Sequence, residues 1–227
     1  MIPILDNSER ARRVVLFFWV LLGVTIFSYG VLFLNYSVPD FFKEVELAGY
    51  SFSPYWILSL FSLTTLLIGI AVIVAFLQWF IRAYQNLDRF GYHTRYTSGW
   101  AIAFWFIPVA NIFIPYQMSK EIWYKTQQEC VTQVQGHGLV RLWWLLFVLG
   151  HISIRVGENT VLRENTHTTQ IWMVTAALIE MASILVTMRF VKRVAEFEAL
   201  FAVYTKGDTI GQSPYVPKDN DAEEEFY

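Results

Sequence analysis

Residues 78–123, QWFIRAYQNLDRFGYHTRYTSGWAIAFWFIPVANIFIPYQMSKEIW, decide how this chain folds, because the segment changes character twice. It begins as the polar end of an apolar helix. There, Gln78, Arg82 and Asn86 are spaced four residues apart and therefore share one helical face. It continues through a basic turn into an apolar segment, and it ends as a polar helix. This order predicts a helix that leaves the membrane and a second, unusual apolar segment beside it.

That second segment, residues 100–114, contains Pro108 and Asn111 and is short for a membrane crossing, which takes about 20 residues. A proline inside a helix removes a backbone hydrogen-bond donor and breaks or kinks the helix. Two interpretations follow: a kinked, tilted crossing, or a re-entrant segment that returns to the side from which it came.

Four apolar blocks flank this centre and are predicted to cross the membrane. The chain is 55% hydrophobic and 16% charged, whereas soluble domains carry about 25% charged residues. The predicted crossings are residues 14–34, 55–81, 139–156 and 171–188. Since no small-residue cleavage site follows the first block, it is interpreted as an uncleaved anchor. The fold class is therefore an all-α integral membrane protein.

The distribution of basic residues decides between the two interpretations of residues 100–114. If that segment is re-entrant, 14 of the 17 lysines and arginines lie on one side, and only Lys43, Arg155 and Arg163 lie opposite. If it crosses, many of them move outside, against the positive-inside rule. The sequence thus predicts four crossings, a re-entrant segment and cytoplasmic termini.

The segments outside the membrane are short. Residues 1–13 are predicted to be a cytoplasmic amino-terminal segment, and residues 14–204 form one polytopic membrane domain that ends in an amphipathic helical extension. Residues 205–227 end in the acidic run DNDAEEEFY and are predicted to be a disordered tail. The single cysteine, Cys130, excludes an intramolecular disulfide.

Glu180 is the most informative single residue, because a carboxylate in mid-membrane is costly unless it is neutral, paired or facing a water-filled cavity. Ala176, Ser183 and Thr187 lie on its helical face, so it is predicted to point at a helix interface. It either titrates protons or binds a cation, or it simply hydrogen-bonds a neighbouring helix. His151 is the other titratable group at that depth, and a pair with Glu180 is conceivable.

The face formed by Gln78, Arg82 and Asn86, with Asn111 opposite, is the second candidate site. Arg82 at the membrane boundary is suited to hold a lipid phosphate or another anion. Alternatively, these polar groups support the broken backbone around Pro108.

Sequence signatures of several other classes are absent. The chain has no H-E-x-x-H, P-loop, G-x-S-x-G or Cys/His metal motif, so no cofactor, metal or catalytic residue is predicted. A basic inner surface is common to membrane proteins, so no nucleic-acid partner is predicted.

The central stretch resembles a bacterial membrane-protein family catalogued as domain of unknown function 4328. The resemblance covers residues 55–200 and is carried by Trp79-Phe80-x-Arg82, Asn86-Leu87, Gly91, Ser98-Gly99-Trp100, Trp105-Phe106-Ile107-Pro108, Asn111, Pro115-Tyr116 and Glu121-Ile122-Trp123. It implies a small multi-span protein of the bacterial inner membrane and supplies no activity.

The function expected from these features is non-enzymatic. The chain is predicted to be a self-associating or partner-binding component of a channel, sensor or envelope assembly, with the bilayer and a second copy or another membrane protein as partners. One alternative is an ion- or proton-coupled channel or transporter that uses Glu180. A weaker alternative is a lipid-modifying membrane enzyme that uses Arg82.

Overall fold

The computed structural model describes residues 4–38, 45–47, 50–52, 55–128, 131, 133–161 and 166–208 of the 227-residue chain. Cys130 and residues 209–227 of the predicted acidic tail lie outside these residues. The described residues form six helices and one short β-hairpin. The helices are α1 (Ser8–Ser37), α2 (Tyr55–Arg89), α3 (Trp100–Phe106), α4 (Pro108–Gln128), α5 (Gly138–Val161) and α6 (Thr166–Asp208).

Several predicted boundaries need correction. The segment between the first two apolar blocks, expected to be a loop, contains an antiparallel hairpin of β1 (Val45–Leu47) and β2 (Tyr50–Phe52). The first helix already begins at Ser8, within the predicted amino-terminal segment. At the other end α6 continues to Asp208, so the first residues predicted to be a tail are helical.

Three helices contain stretches long and apolar enough to cross a membrane: Ser8–Leu34, Ser59–Arg89 and His167–Val203. The chain is thus a helical membrane protein. The apolar part of α5, Gly138–Ser153, is shorter. The crossing expected over residues 139–156 therefore stays a prediction.

The four long helices lie side by side in the order α2, α1, α6, α5. Glu180 in α6 contacts Thr25 in α1, whereas Glu198, further along α6, contacts Asn7 immediately before α1. The two central helices are therefore antiparallel. Since α2 and α5 lie at the two edges of this row, each long helix keeps at least one face free of the others.

The segment around Pro108 turns back on itself. Ile107 has an extended backbone, as the residue before a proline prefers, and Pro108 begins α4, where its missing N–H costs nothing. Tyr96, before α3, donates a hydrogen bond to Gln117 in α4, with 2.7 Å between the two oxygens. The chain therefore returns close to where it started, whereas the re-entrant placement of this segment in a membrane stays a prediction.

An aromatic core joins the helices near the start of α1 and the ends of α2 and α6. We call this part of the protein the aromatic end. The core is built from Trp79 of α2, Trp123 of α4, Trp143 of α5 and Phe190 of α6. Phe190 lies at the centre, with ring-centroid distances of 5.7 Å to Trp79, 5.1 Å to Trp143 and 6.3 Å to Trp123. Trp79 and Phe190 are fully buried. Aromatic rings in such offset and edge-to-face contacts stabilise a core beyond their buried area.

Candidate functional site: carboxylates between the helices

Glu180 lies between α6 and α1 and accepts hydrogen bonds from both neighbouring hydroxyl groups. The Tyr29 hydroxyl is 3.0 Å from Oε2 and the Thr25 hydroxyl is 3.3 Å from Oε1. The carboxylate is half-buried, and it faces a helix interface, as its surrounding small residues predicted. Two hydroxyl donors are a sufficient structural reason for a polar residue at this depth.

His151 does not meet Glu180. Its Nδ1 donates to the carbonyl oxygen of Phe147, one turn earlier on α5, at 2.9 Å, and its ring packs on the Phe147 ring. The side chain is exposed on the outer surface of the helix row. The two residues that the sequence placed at similar depth therefore belong to different surfaces of the protein.

A second carboxylate, Glu198, lies in a fully buried polar cluster at the aromatic end. Its Oε1 accepts from Nδ2 of Asn86 at 2.7 Å, and its Oε2 accepts from Nδ2 of Asn7 at 3.0 Å. Asn7 also donates to the carbonyl oxygen of Trp79 at 3.3 Å. The cluster thus ties the start of the chain to α2 and α6.

Asn86 extends this cluster to the backbone of the amino-terminal segment. Its Oδ1 accepts from the Leu5 N–H at 3.1 Å, and its Nδ2 donates to the Leu5 carbonyl at 3.0 Å. The side-chain amide therefore pairs with one residue of main chain as a neighbouring strand would. In this way residues before α1 are held without belonging to a helix or sheet.

The rest of the predicted polar face points elsewhere. Gln78 is exposed, and its carbonyl oxygen accepts from Nη1 of Arg10 at 2.8 Å. Arg82 is half-buried, and its Nε has no hydrogen-bond partner among the described residues. Oδ1 of Asn111 is also buried without a described partner, and no described hydrogen bond joins Asn111 to this face. The predicted site is therefore divided, with Asn86 inside and Gln78 outside.

Sequence reasoning missed Asn7 and Glu198. A signal existed for Glu198, because it lies four residues after Val194 and three before Phe201, both buried on one stripe of α6. A carboxylate on a buried stripe needs a hydrogen-bonding partner. Asn7 gave no comparable signal, since a polar residue before a helix is ordinary.

A third polar group lies at the start of α5. The ring of His137 contacts the Tyr124 hydroxyl through Nδ1, and its Nε2 accepts from Nε of Arg141 at 2.9 Å. Because Nε2 accepts, the ring proton lies on Nδ1 and is donated to Tyr124. Partial burial, followed by the charges of Arg141 and Lys120, lowers the pKa of His137 below its ordinary value of 6.5. This group orders the turn between α4 and α5.

Within the part of the chain that the structure describes, no three His, Cys, Asp or Glu side chains come close enough together to hold a metal ion. Among the buried polar side chains, Asn7, Asn86 and Glu198 lie at the aromatic end, whereas the half-buried Glu180 lies between α1 and α6. Their contacts join helices to one another.

A family model described as domain of unknown function DUF4328 matches residues 54–196. The chain belongs to this family. The matched part of this DUF4328 protein includes Asn86 and Glu180, whereas Asn7 and Glu198 lie outside it. The resemblance seen in the sequence is thereby confirmed. No curated protein matches the chain. No solved structure matches it.

Proposed function

We propose that this DUF4328 protein is a non-enzymatic membrane component that acts by binding a second copy of itself or another membrane protein. The observation that carries the proposal is a pair of glycines on α1. Gly23 and Gly30 lie two turns apart on the exposed stripe of this helix, and a Cβ atom at either would meet nothing within 4 Å. Small residues in membrane helices let a neighbouring helix approach closely. No described part of this chain uses that space.

The polar interior supports a structural rather than a chemical role. The oxygens of both Glu180 and Glu198 accept hydrogen bonds from neighbouring segments. A proton- or cation-coupled channel remains the alternative, because Glu180 is half-buried rather than sealed. A lipid-modifying enzyme has less support, since no described His, Cys or carboxylate group hydrogen-bonds to Arg82.

The mass of the purified protein in lipid nanodiscs tests the proposal. We expect either a defined homo-oligomer or a complex with a stoichiometric protein partner. Leucine at both Gly23 and Gly30 should reduce that assembly to the single chain. The control is Leu66→Phe on α2, which enlarges an already exposed side chain and fills no glycine gap. A wild-type protein that is monomeric and without a partner contradicts the proposal.

The proposal includes four crossings, with the aromatic end and both termini in the cytoplasm of a bacterial cell. The row of antiparallel helices supports it, and so does the positive-inside distribution of 14 of 17 basic residues. In a Cys130→Ser background, a cysteine replacing the exposed Gln128 should react with an impermeant maleimide only after the cells are opened. A cysteine replacing Ser37, at the other end of α1, should react in intact cells. The opposite pattern contradicts this topology.

A further inference from the structure

A groove of about 310 Å³ lies between α1 and α2 near the aromatic end. Its polar wall is formed by Arg10, Arg13 and Gln78. Its apolar wall is formed by Phe17, Ala71, Val74 and Ala75. The volume is at the lower end of the range of small-molecule sites, about 300–1,000 Å³.

The polar wall carries positive charge with no described counter-ion. Arg13 and Arg82 are close enough to Arg10 for their charges to repel its guanidinium group. Arg10 is nevertheless held in place by its hydrogen bond to the Gln78 carbonyl oxygen at 2.8 Å. Among the described residues, no carboxylate pairs with any of these three arginines. Neighbouring arginines without a described anion favour the binding of one, and guanidinium groups bind phosphate oxygens particularly well.

The two walls are ordered along the helices. Arg10 contacts α2 at Gln78, whereas Phe27 contacts α2 at Phe61, with ring centroids 5.0 Å apart, so α1 and α2 are antiparallel. Going away from the aromatic end, the lining residues of both helices therefore change from polar to apolar. Phe17 and Ala71 are furthest from the charges. The groove between these two helices thus has a charged end near the aromatic end of the protein, which we call its mouth, and an apolar part further along the helices.

We propose that this groove binds the phosphodiester group of an anionic phospholipid. Arg10 and Arg13 contact the phosphate, Arg82 contributes positive charge, and an acyl chain lies along Phe17 and Val74. Basic pockets between membrane helices on the cytoplasmic side recognise lipid headgroups in this way. A free phosphate ion would use the charged mouth alone and leave the apolar wall uncovered. The assignment concerns a different surface from the glycine pair of α1 and does not depend on it.

The first test counts bound lipids by native mass spectrometry of the full chain, released from detergent with phosphatidylglycerol or phosphatidylcholine. Wild-type protein should retain phosphatidylglycerol preferentially. Arg13→Gln should weaken its binding about five-fold, the usual contribution of one basic side chain near an anionic bilayer surface. The control is Arg12→Gln, which removes the same charge from a residue that pairs with Glu9 at 2.8 Å and does not line the groove.

The second test separates a lipid from a free anion. Ala71→Phe should fill the apolar part of the groove and reduce phosphatidylglycerol binding, whereas Ile73→Phe, on an exposed face of the same helix that does not line the groove, should not. Inorganic phosphate at millimolar concentration should not displace the lipid. Displacement by phosphate, or binding unaffected by Ala71→Phe, overturns the lipid assignment. Equal effects of Arg13→Gln and Arg12→Gln, or equal retention of the two lipids, overturn the site itself.

Discussion

The replacement of Asn86 by alanine should detach the amino-terminal segment from the helices. The Asn86 side chain is fully buried and makes two hydrogen bonds to the Leu5 backbone and one to the Glu198 carboxylate. A neutral hydrogen bond contributes about 1 kcal/mol, and one to a charged group contributes about 1.5–3 kcal/mol. Alanine therefore costs about 3.5–5 kcal/mol, and part of that cost is a buried carboxylate left with Asn7 alone.

Thermal unfolding in detergent measures the loss of stability. Hydrogen exchange of the Leu5 amide measures the detachment of the amino-terminal segment. We expect a lower melting temperature and loss of protection at Leu5. The control is Gln85→Ala, one residue earlier on α2, whose side chain makes no hydrogen bond in the described structure. If Asn86→Ala and Gln85→Ala unfold at the same temperature, and Leu5 stays protected in both, the cluster does not hold the amino-terminal segment.

Three further changes test the core, the polar turn and the membrane carboxylate. Phe190→Ala should lower the free energy of unfolding in detergent by about 3–5 kcal/mol, because it leaves a cavity among three tryptophans. The control Leu200→Ala, on the exposed side of the same helix, should change this free energy by less than about 0.5 kcal/mol. His137→Gln should remove one pH dependence of the melting temperature. Because the pKa of His137 is lowered in the folded state, its stabilising contribution is complete above pH 6.5 and is lost as the pH falls through the lower folded-state pKa. The wild type should therefore lose stability relative to the variant as the pH falls from 6.5 toward the folded-state pKa, and parallel curves over that range would contradict this. Glu180→Gln should lower the free energy of unfolding by about 1 kcal/mol, since the amide keeps one acceptor for the Tyr29 hydroxyl. If the wild type conducts protons or cations in liposomes, and the folded variant does not, the transporter alternative is favoured.

The sequence predicted those features that depend on neighbouring residues along the chain. An uncharged block of 21 residues predicts α1, and Pro108 predicts the break between α3 and α4, because each depends on local composition or backbone chemistry. The small residues around Glu180 likewise predicted that it faces another helix. Local patterns of this kind are sufficient to predict where helices begin and end and which face of a single helix packs inward.

The buried cluster was out of reach because its members are far apart in sequence. Asn7 and Glu198 are separated by 191 residues, and their contact depends on how far α1 and α6 slide past each other. The stripe of α6 indicates that Glu198 needs a partner, but nothing in the local sequence identifies Asn7 as that partner. The separation of Glu180 from His151 has the same cause, since depth in the membrane does not specify which way a side chain points around its helix.

The two carboxylates of α6 have a mechanical consequence. Glu180 and Glu198 are 18 residues apart, which is five complete helical turns or about 27 Å, so both point to one side of the helix. Their partners Thr25 and Asn7 are also 18 residues apart. The two hydrogen-bonded contacts therefore have the same spacing on both antiparallel helices. If α1 moved along α6 by one turn, about 5.4 Å, both contacts would break at the same time. Sliding of α1 against α6 along their axes is therefore opposed at two points.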